Sequence, residues 1–368
     1  MAVVARLGAL GLGANVVSGG EWAVARRAGI SDEHVTLEGA GKTERDLAAA
    51  VRTAAEGHPP RWIALESGDE LMNLSDMAAR AGLGRRRVPP LDVLFRLNPD
   101  VAPETHTHLA VGAGPSKFGM TETELTEAVE RAAGSGSLRP RGIHLHVGSQ
   151  LGAVDAWREA VRRALAIVGL LRGGIGWFDT LDVGGGFAVG AREGDVPSPA
   201  RFARELPSLL EAVPPERRPS RWAVEPGRFL VARAGWIVAS VLHVREHGDE
   251  PLVVIDAGMT ELIRPALYGA RHRIVALTSL GQAVPTRAFH GARRTRVDGP
   301  ICESTDTLGG FDLPPLRRGD LVAIADAGAY AASMASAYNG RPRPPQVLLE
   351  PDGRLVLGRR RGSVASLG

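Results

Sequence analysis

The sequence predicts an α/β chain in which a (β/α)8 TIM-type barrel, its first strand missing, is followed by a mainly antiparallel β domain. Three observations predict it. Over the first two-thirds, short apolar runs alternate with amphipathic segments, the pattern of βα units around a parallel sheet. From about Gly235 the texture changes to apolar runs separated by turns, with few helical periods. The barrel part offers about seven strands where closure needs eight, and it begins on a helix with no strand before it. We therefore assign residues 1–232 to the barrel domain and 233–368 to a C-terminal β domain.

Taken in order, residues 2–12 read as a helix and Asn15–Ser18 as the first strand present. Gly20 to Ala28 suits a helix and His34–Glu38 a strand. Thr43 caps a helix to about Ala55, with Glu44 and Asp46 in its acidic first turn. Trp62–Glu66, Val93–Asn98, Gly142–Val147, Thr180–Val183 and Trp222–Glu225 are the next strands, the last read as the end of a buried one. Helices near 69–81, 121–133, 154–172 and 199–212 separate them. In the second domain, Trp236–Val244, Leu252–Ile255, Arg273–Leu277, Thr295–Val297 and Leu321–Ala325 read as strands. Gln346–Leu349 and Leu355–Leu357 form a closing hairpin around Pro351-Asp352-Gly353.

Composition excludes several classes. At 368 residues the chain can build two substantial cores, and 44% hydrophobic with 23% charged residues is ordinary for a globular protein. No apolar run approaches the roughly 18 residues of a membrane span. The opening Met1 to Gly8 lacks a basic lead-in, so no signal peptide is expected. Cys302, the single cysteine, rules out an intrachain disulfide and suits a reducing cytoplasm. Basic and acidic residues nearly balance, 44 against 41, and no nucleic-acid partner is expected. The clusters Arg85–Arg87 and Arg359–Arg361 lack interleaved aromatics and read as solvated loop and tail.

The chemistry lies at strand ends. In Glu225-Pro226-Gly227-Arg228 a tight turn leaves an acid and a guanidinium three residues apart. The carboxylate can hold a protonated ring nitrogen, and the arginine can take a phosphate or carboxylate. Gly184-Gly185-Gly186 follows another strand, where backbone N–H groups can turn toward a phosphate without Cβ interference. His144 and His146 share a face of their strand. Such a pair can bind a metal, or one imidazole can stack on a flat cofactor while Ser149 bonds its phosphate. The other strand ends offer glycines, an arginine and one glutamate rather than further ligands, which favours stacking and no metal. His106 and His108 read as structural. In the second domain Cys302 and Glu303 share a polar turn, where a thiol can serve as proton donor or nucleophile. Arg264 and Tyr268 lie four residues apart, and Tyr330 follows a strand.

Together these segments, with Val17-Ser18-Gly19-Gly20-Glu21 and Ser116-Lys117-Phe118-Gly119, resemble the pyridoxal-phosphate-dependent decarboxylases of the alanine-racemase-like fold (fold type III). The branch most resembled is the diaminopimelate decarboxylases, along essentially the whole chain. The resemblance implies pyridoxal 5'-phosphate as cofactor and decarboxylation of meso-diaminopimelate to L-lysine. A sister decarboxylase of another amino acid, such as a siderophore or antibiotic precursor, is the alternative. It implies Glu225 on the pyridine nitrogen and His146 stacked on the ring. Ser149, the Gly184–Gly186 run, Gly227 and Arg228 would lie on the phosphate side, with Tyr330 near the cofactor. Arg228, Arg264, Tyr268, Glu303 and Tyr330 would surround the substrate. Cys302 would protonate the carbanion left by carbon dioxide, entering with Glu303 the active site of a partner subunit in a homodimer.

The departure concerns one residue. The family holds its cofactor as a Schiff base on a lysine in the first barrel strand, within a Tyr-Ala-x-Lys-Ala type segment. Lys42 and Lys117 are the only lysines here, and each matches another family lysine. The missing lysine and missing strand coincide, so we expect coding sequence upstream of Met1. The rival expectation is a non-catalytic homologue that binds pyridoxal phosphate.

Overall fold

The computed structural model describes all residues except 86–87, 103–115, 191–193, 248–249, 279, 285–291 and 367–368. His106 and His108, and part of the Arg85–Arg87 cluster, lie outside the described residues. The chain divides into two compact units: Met1–Ala188 with Val196–Pro226, and Val189–Asp195 with Gly227–Gly368.

The first unit is built on seven strands: β1 (Ala14–Val16), β2 (Val35–Leu37), β3 (Trp62–Leu65), β4 (Leu91–Leu97), β5 (Leu138–Leu145), β6 (Thr180–Asp182) and β7 (Arg221–Ala223). They lie side by side in sequence order, and each neighbouring pair is parallel. This is the sequential wall of a (β/α) barrel, with β1 and β7 at its two ends. Helices α1 (Ala2–Ala9), α2 (Gly19–Arg27), α3 (Glu44–Ala55), α4 (Gly68–Arg80), α5 (Glu122–Ser135) and α6 (Asp155–Leu171) come between the strands or before β1. The starts of α3 and α5 are fixed by capping boxes, Thr43 with Asp46 and Thr121 with Glu124.

Strand alternation splits this unit into two faces. Ile63, Leu65, Val93, Phe95, Ile143 and Leu181 point to the main core with Leu71, Leu74, Val129 and Val161 of the helices. Trp62, Ala64 and Leu94 form a small separate cluster on the other face. Continuing that face to the strand ends, the next positions are polar: Asn15, Glu38, Glu66, Arg96, His144, Asp182 and Glu225. Arg96, His144 and Asp182 stand in register across β4, β5 and β6.

Three expectations need correction here. The strand at Trp222 is not buried: Trp222 is 39% and Val224 53% exposed. It ends the sheet and pairs only with β6 among the described residues. The helix expected over 199–212 is two short ones, α7 (Pro199–Ala203) and α8 (Leu206–Glu211), with Pro207 in the first turn of the second. The opening helix stops at Ala9, ahead of Gly11 at a positive φ of 87°, and buries no residue.

The second unit is a six-stranded sheet ordered β10–β13–β8–β9–β11–β12, made of β8 (Ile237–His247), β9 (Glu250–Ile255), β10 (Ile274–Leu277), β11 (Arg293–Asp298), β12 (Thr307–Leu313) and β13 (Leu321–Ile324). Its pairings are antiparallel except β9 with β11. β12 was not expected, because Gly309 and Gly310 interrupt its β pattern. A hairpin of β14 (Gln346–Leu349) and β15 (Leu355–Arg359) closes the unit as expected. Val241, Val253, Ile255, Val297, Val322 and Ile324 form its core.

Candidate active site

In the first unit the polar row at the strand ends converges on one imidazole. His144 Nε2 lies 3.3 Å from Glu38 Oε2 and 3.4 Å from Glu225 Oε1. Neither contact has the alignment of a hydrogen bond, and both His144 nitrogens, Glu38 Oε1 and Glu225 Oε1 are buried without a hydrogen-bond partner. Asn15 Nδ2 donates to Glu38 Oε2 at 2.9 Å. Asp182 Oδ1 accepts from the Gly184 N–H at 2.9 Å. Glu38, His144 and Asp182 are 2–3% exposed. Burial raises the pKa of Glu38, Asp182 and Glu225 above the usual carboxylate range, and for Glu225 the nearby Asp182 adds to it.

The sequence reading counted one glutamate at these strand ends. The structure corrects this, placing Glu38 and Asp182 beside it. Glu38, His144 and Glu225 each offer a donor atom within 4.8 Å of the others, a spacing a cation could use. The surroundings fit one poorly. A metal-bound imidazole normally gives its second ring N–H to an acceptor, and His144 Nδ1 has none among the described residues.

His146 follows β5, its Nδ1 4.0 Å from Glu225 Oε2. Burial, with Arg96 second, lowers its pKa to about 3, so the ring is neutral and suited to stacking. Arg96 is held by Glu66 at 2.7 Å, and Glu66 also accepts from the Gly119 N–H at 2.9 Å. This ties the segment after Ser116 to the site.

The glycine run serves packing as well as any anion. A Cβ on Gly184 would meet Leu145 O at 2.0 Å, on Gly185 Glu225 O at 2.3 Å, and on Gly186 Gly148 O at 2.3 Å. The Gly184 N–H is spent on Asp182 and that of Gly185 on His146 Nδ1 at 3.4 Å. These contacts leave the Gly186 N–H as the one available to a phosphate. Ser149 sits half-buried after β5.

The second unit gathers cations and phenols. Arg228, in the helical turn Gly227–Val231, lies over the Tyr330 ring at 4.5 Å. Arg264 opens the helical turn Arg264–Tyr268 and is buried. Burial, then its neighbour Arg264, lowers the Arg228 pKa to about 10, and burial lowers Arg264. Two desolvated guanidiniums this close form a site for an anion. His272, which sequence reasoning missed, orients Arg264. Its Nδ1 faces the Ala325 carbonyl at 3.0 Å and must be the protonated nitrogen, so Nε2 accepts from Arg264 Nη1 at 3.2 Å. Tyr330 has a positive φ of 66°.

Cys302 and Glu303 lie in an exposed turn. Asp306 holds that turn, accepting from the N–H groups of Met259 at 2.6 Å and Ile301 at 2.8 Å. Two further residues join it. Asn339 Nδ2 lies 3.4 Å from the Cys302 sulfur, and the Tyr338 hydroxyl donates to Glu303 Oε1 at 2.8 Å. That bond raises the Tyr338 pKa. Both follow Tyr330 closely in sequence, in Ala337-Tyr338-Asn339-Gly340, but no spacing rule marks them.

The two lysines are placed elsewhere. Lys42 Nζ is fully buried, donating to Gly39 O at 2.6 Å and Ala64 O at 2.8 Å, with Glu70 Oε1 at 3.1 Å. Lys117 is exposed beside the Phe118 ring at 5.1 Å.

Residues 1–232 match the family model "Pyridoxal-dependent decarboxylase, pyridoxal binding domain". Diaminopimelate decarboxylase of Aquifex aeolicus is 35% identical over 364 residues, 98% of this chain and 80% of the relative. That of Deinococcus radiodurans is 37% identical over 346 residues, covering 93% and 79%. Among solved structures, Helicobacter pylori diaminopimelate decarboxylase complexed with L-lysine superposes with a TM-score of 0.88 at 30% identity, covering 100% of this chain and 86% of that one.

Proposed function

We propose, for a chain that belongs to the diaminopimelate decarboxylases within the pyridoxal-dependent decarboxylase family, that it converts meso-diaminopimelate to L-lysine and carbon dioxide. Its cofactor is pyridoxal 5'-phosphate, whose protonated ring withdraws electrons from the carbon that loses the carboxylate. Glu225 holds the proton on the ring nitrogen, and the neutral His146 imidazole stacks on the ring. Ser149, Gly186 and Arg228 take the phosphate, while Gly184, Gly185 and Gly227 shape the turns around it. Arg264, held by His272, and Arg228 bind substrate carboxylate, with Tyr268, Glu303 and Tyr330 completing the pocket. Cys302 Sγ delivers the proton that replaces carbon dioxide.

The observation that carries this reading is the Glu225 carboxylate. Half-buried beside two imidazoles, it is placed to accept from a donor such as a pyridinium N–H. Two guanidiniums in the second unit, one buried and one half-buried, answer the anionic groups of cofactor and substrate. The test is product analysis of the full chain with pyridoxal phosphate and, separately, meso-diaminopimelate, L-ornithine and L-arginine. L-lysine and carbon dioxide from the first alone is the expected result; turnover of ornithine or arginine instead would point to a sister decarboxylase.

One observation favours a second reading. Lys42 is locked on two carbonyls and Glu70, and Lys117 is exposed beside Phe118, so neither is placed to hold the cofactor covalently. Cofactor binding without product from any substrate would make this sequence a binding homologue.

We further propose a cytoplasmic homodimer in which Cys302 and Glu303 reach the partner subunit's site, which an exposed turn braced by Asp306 would allow. A monomer by sedimentation that still decarboxylates would exclude it. Among the described residues no helix is long and apolar enough to cross a membrane.

A further inference from the structure

The charges at the strand ends of the first unit do not balance, and the imbalance assigns a role to Glu38. Three acids, the buried Glu38 and Asp182 and the half-buried Glu225, neighbour His144. Arg96, the cation of the same row, is hydrogen-bonded to Glu66 instead. His144 turns a single nitrogen toward both glutamates, and a neutral imidazole has one N–H to give. One carboxylate oxygen of Glu38 and one of Glu225 lie within 4.8 Å of each other. Two ionised carboxylates cannot hydrogen-bond, because neither carries a donor. One proton on one of them would let the pair bond, and an oxygen of each, Glu38 Oε1 and Glu225 Oε1, has no hydrogen-bond partner among the described residues.

Asn15 indicates where that proton sits. Its amide N–H at 2.9 Å fixes Glu38 Oε2 as an acceptor, leaving Oε1 as the oxygen able to carry hydrogen. We propose that Glu38 is a positioning residue for the cofactor: its Oε1–H donates to Glu225 and so leaves on Glu225 the negative charge that the pyridinium N–H requires. This rests on the assignment of Glu225 to the ring nitrogen. The other groups facing the pair pull both ways: His144 favours charge on Glu38. Asp182 repels charge on Glu225, Arg96 favours it, and His146 is neutral. The mutual contact raises the pKa of Glu38 and lowers that of Glu225, the same polarity that Asn15 imposes.

The test is the infrared carbonyl stretch of protonated carboxyl groups in the cofactor-free full chain at pH 7. The wild type and Glu225→Gln should show the band, and Glu38→Gln should lack it. A wild type without the band overturns the proposal, whatever becomes of the variants. So does a band that survives in Glu38→Gln and vanishes in Glu225→Gln or Asp182→Asn. Cofactor titrations followed by absorbance give a second readout. Glu38→Gln, whose amide still donates, should bind pyridoxal phosphate within about twofold of wild type, whereas Glu38→Leu should lose about tenfold, as expected for one missing hydrogen bond to a charge. Equal losses in the two variants would mean a packing role only. If Glu225→Gln binds the cofactor as wild type does, the ring-nitrogen assignment fails while the infrared result still stands or falls alone.

Discussion

The two units solve opposite electrostatic problems. At the strand ends of the first, three carboxyls and two imidazoles are buried or half-buried, and burial pushes the acids toward their neutral forms. In the second, a buried guanidinium, Arg264, and a half-buried one, Arg228, lie against histidine and tyrosine, and burial weakens their hold on protons. Carboxyls of the first kind suit a cationic group, and guanidiniums of the second suit an anion. The difference teaches that the same burial acts with opposite sign on acids and on bases.

The largest break in this comparison should come from the cationic side. Arg264→Met in the cofactor-loaded chain should lose about 100-fold in affinity for L-lysine, ~3 kcal/mol, the scale of removing a buried charge partner. Calorimetric titration measures it, and an unchanged affinity would detach Arg264 from the substrate carboxylate. On the acidic side, Glu225→Gln should weaken pyridoxal phosphate by about tenfold, yet raise the melting temperature of the cofactor-free chain by relieving repulsion. A variant that loses both affinity and stability would show Glu225 to be structural. The smallest effect belongs to His272→Gln, which should cost about threefold in L-lysine affinity by loosening Arg264 while leaving cofactor affinity alone. Parallel losses in both affinities would refute so selective a role.

Much of this was legible in sequence. The parallel strands show themselves because a sheet covered on both faces is written as continuous apolar runs, as in Trp62–Leu65. Thr43 and Asp46 announce the start of α3 by their capping spacing. Glu225, Arg228, Arg264 and Cys302 stand in turns whose residue types already suggest chemistry. Glu38 does not, because an acid after a short strand reads as solvated until His144 and Glu225 close over it. Strand alternation could have found it, since Glu38, His144, Asp182 and Glu225 all continue the same sheet face. His272 has no local signature at all; its role depends on Ala325, brought near by the pairing of β10 with β13. The exposure of Trp222 was misread because burial of a strand is decided by its neighbours, and an end strand has only one.

The central claim is that the acids of the first unit retain a proton, held on Glu38, that leaves Glu225 charged for a cationic ring. An acid whose folded pKa is raised keeps a proton that the unfolded chain has already released. Its stabilising contribution is therefore present at low pH and lost as pH rises from the ordinary 4.5 through the raised value. Urea unfolding of the cofactor-free chain at pH 6, 7 and 8 tests this directly. Stability should fall by roughly 1 kcal/mol per pH unit, the slope of about one retained proton, and the fall should largely disappear in the Glu38→Gln, Glu225→Gln double variant. A wild type whose stability is flat or rises over that range, or a double variant with the same slope, would contradict the account.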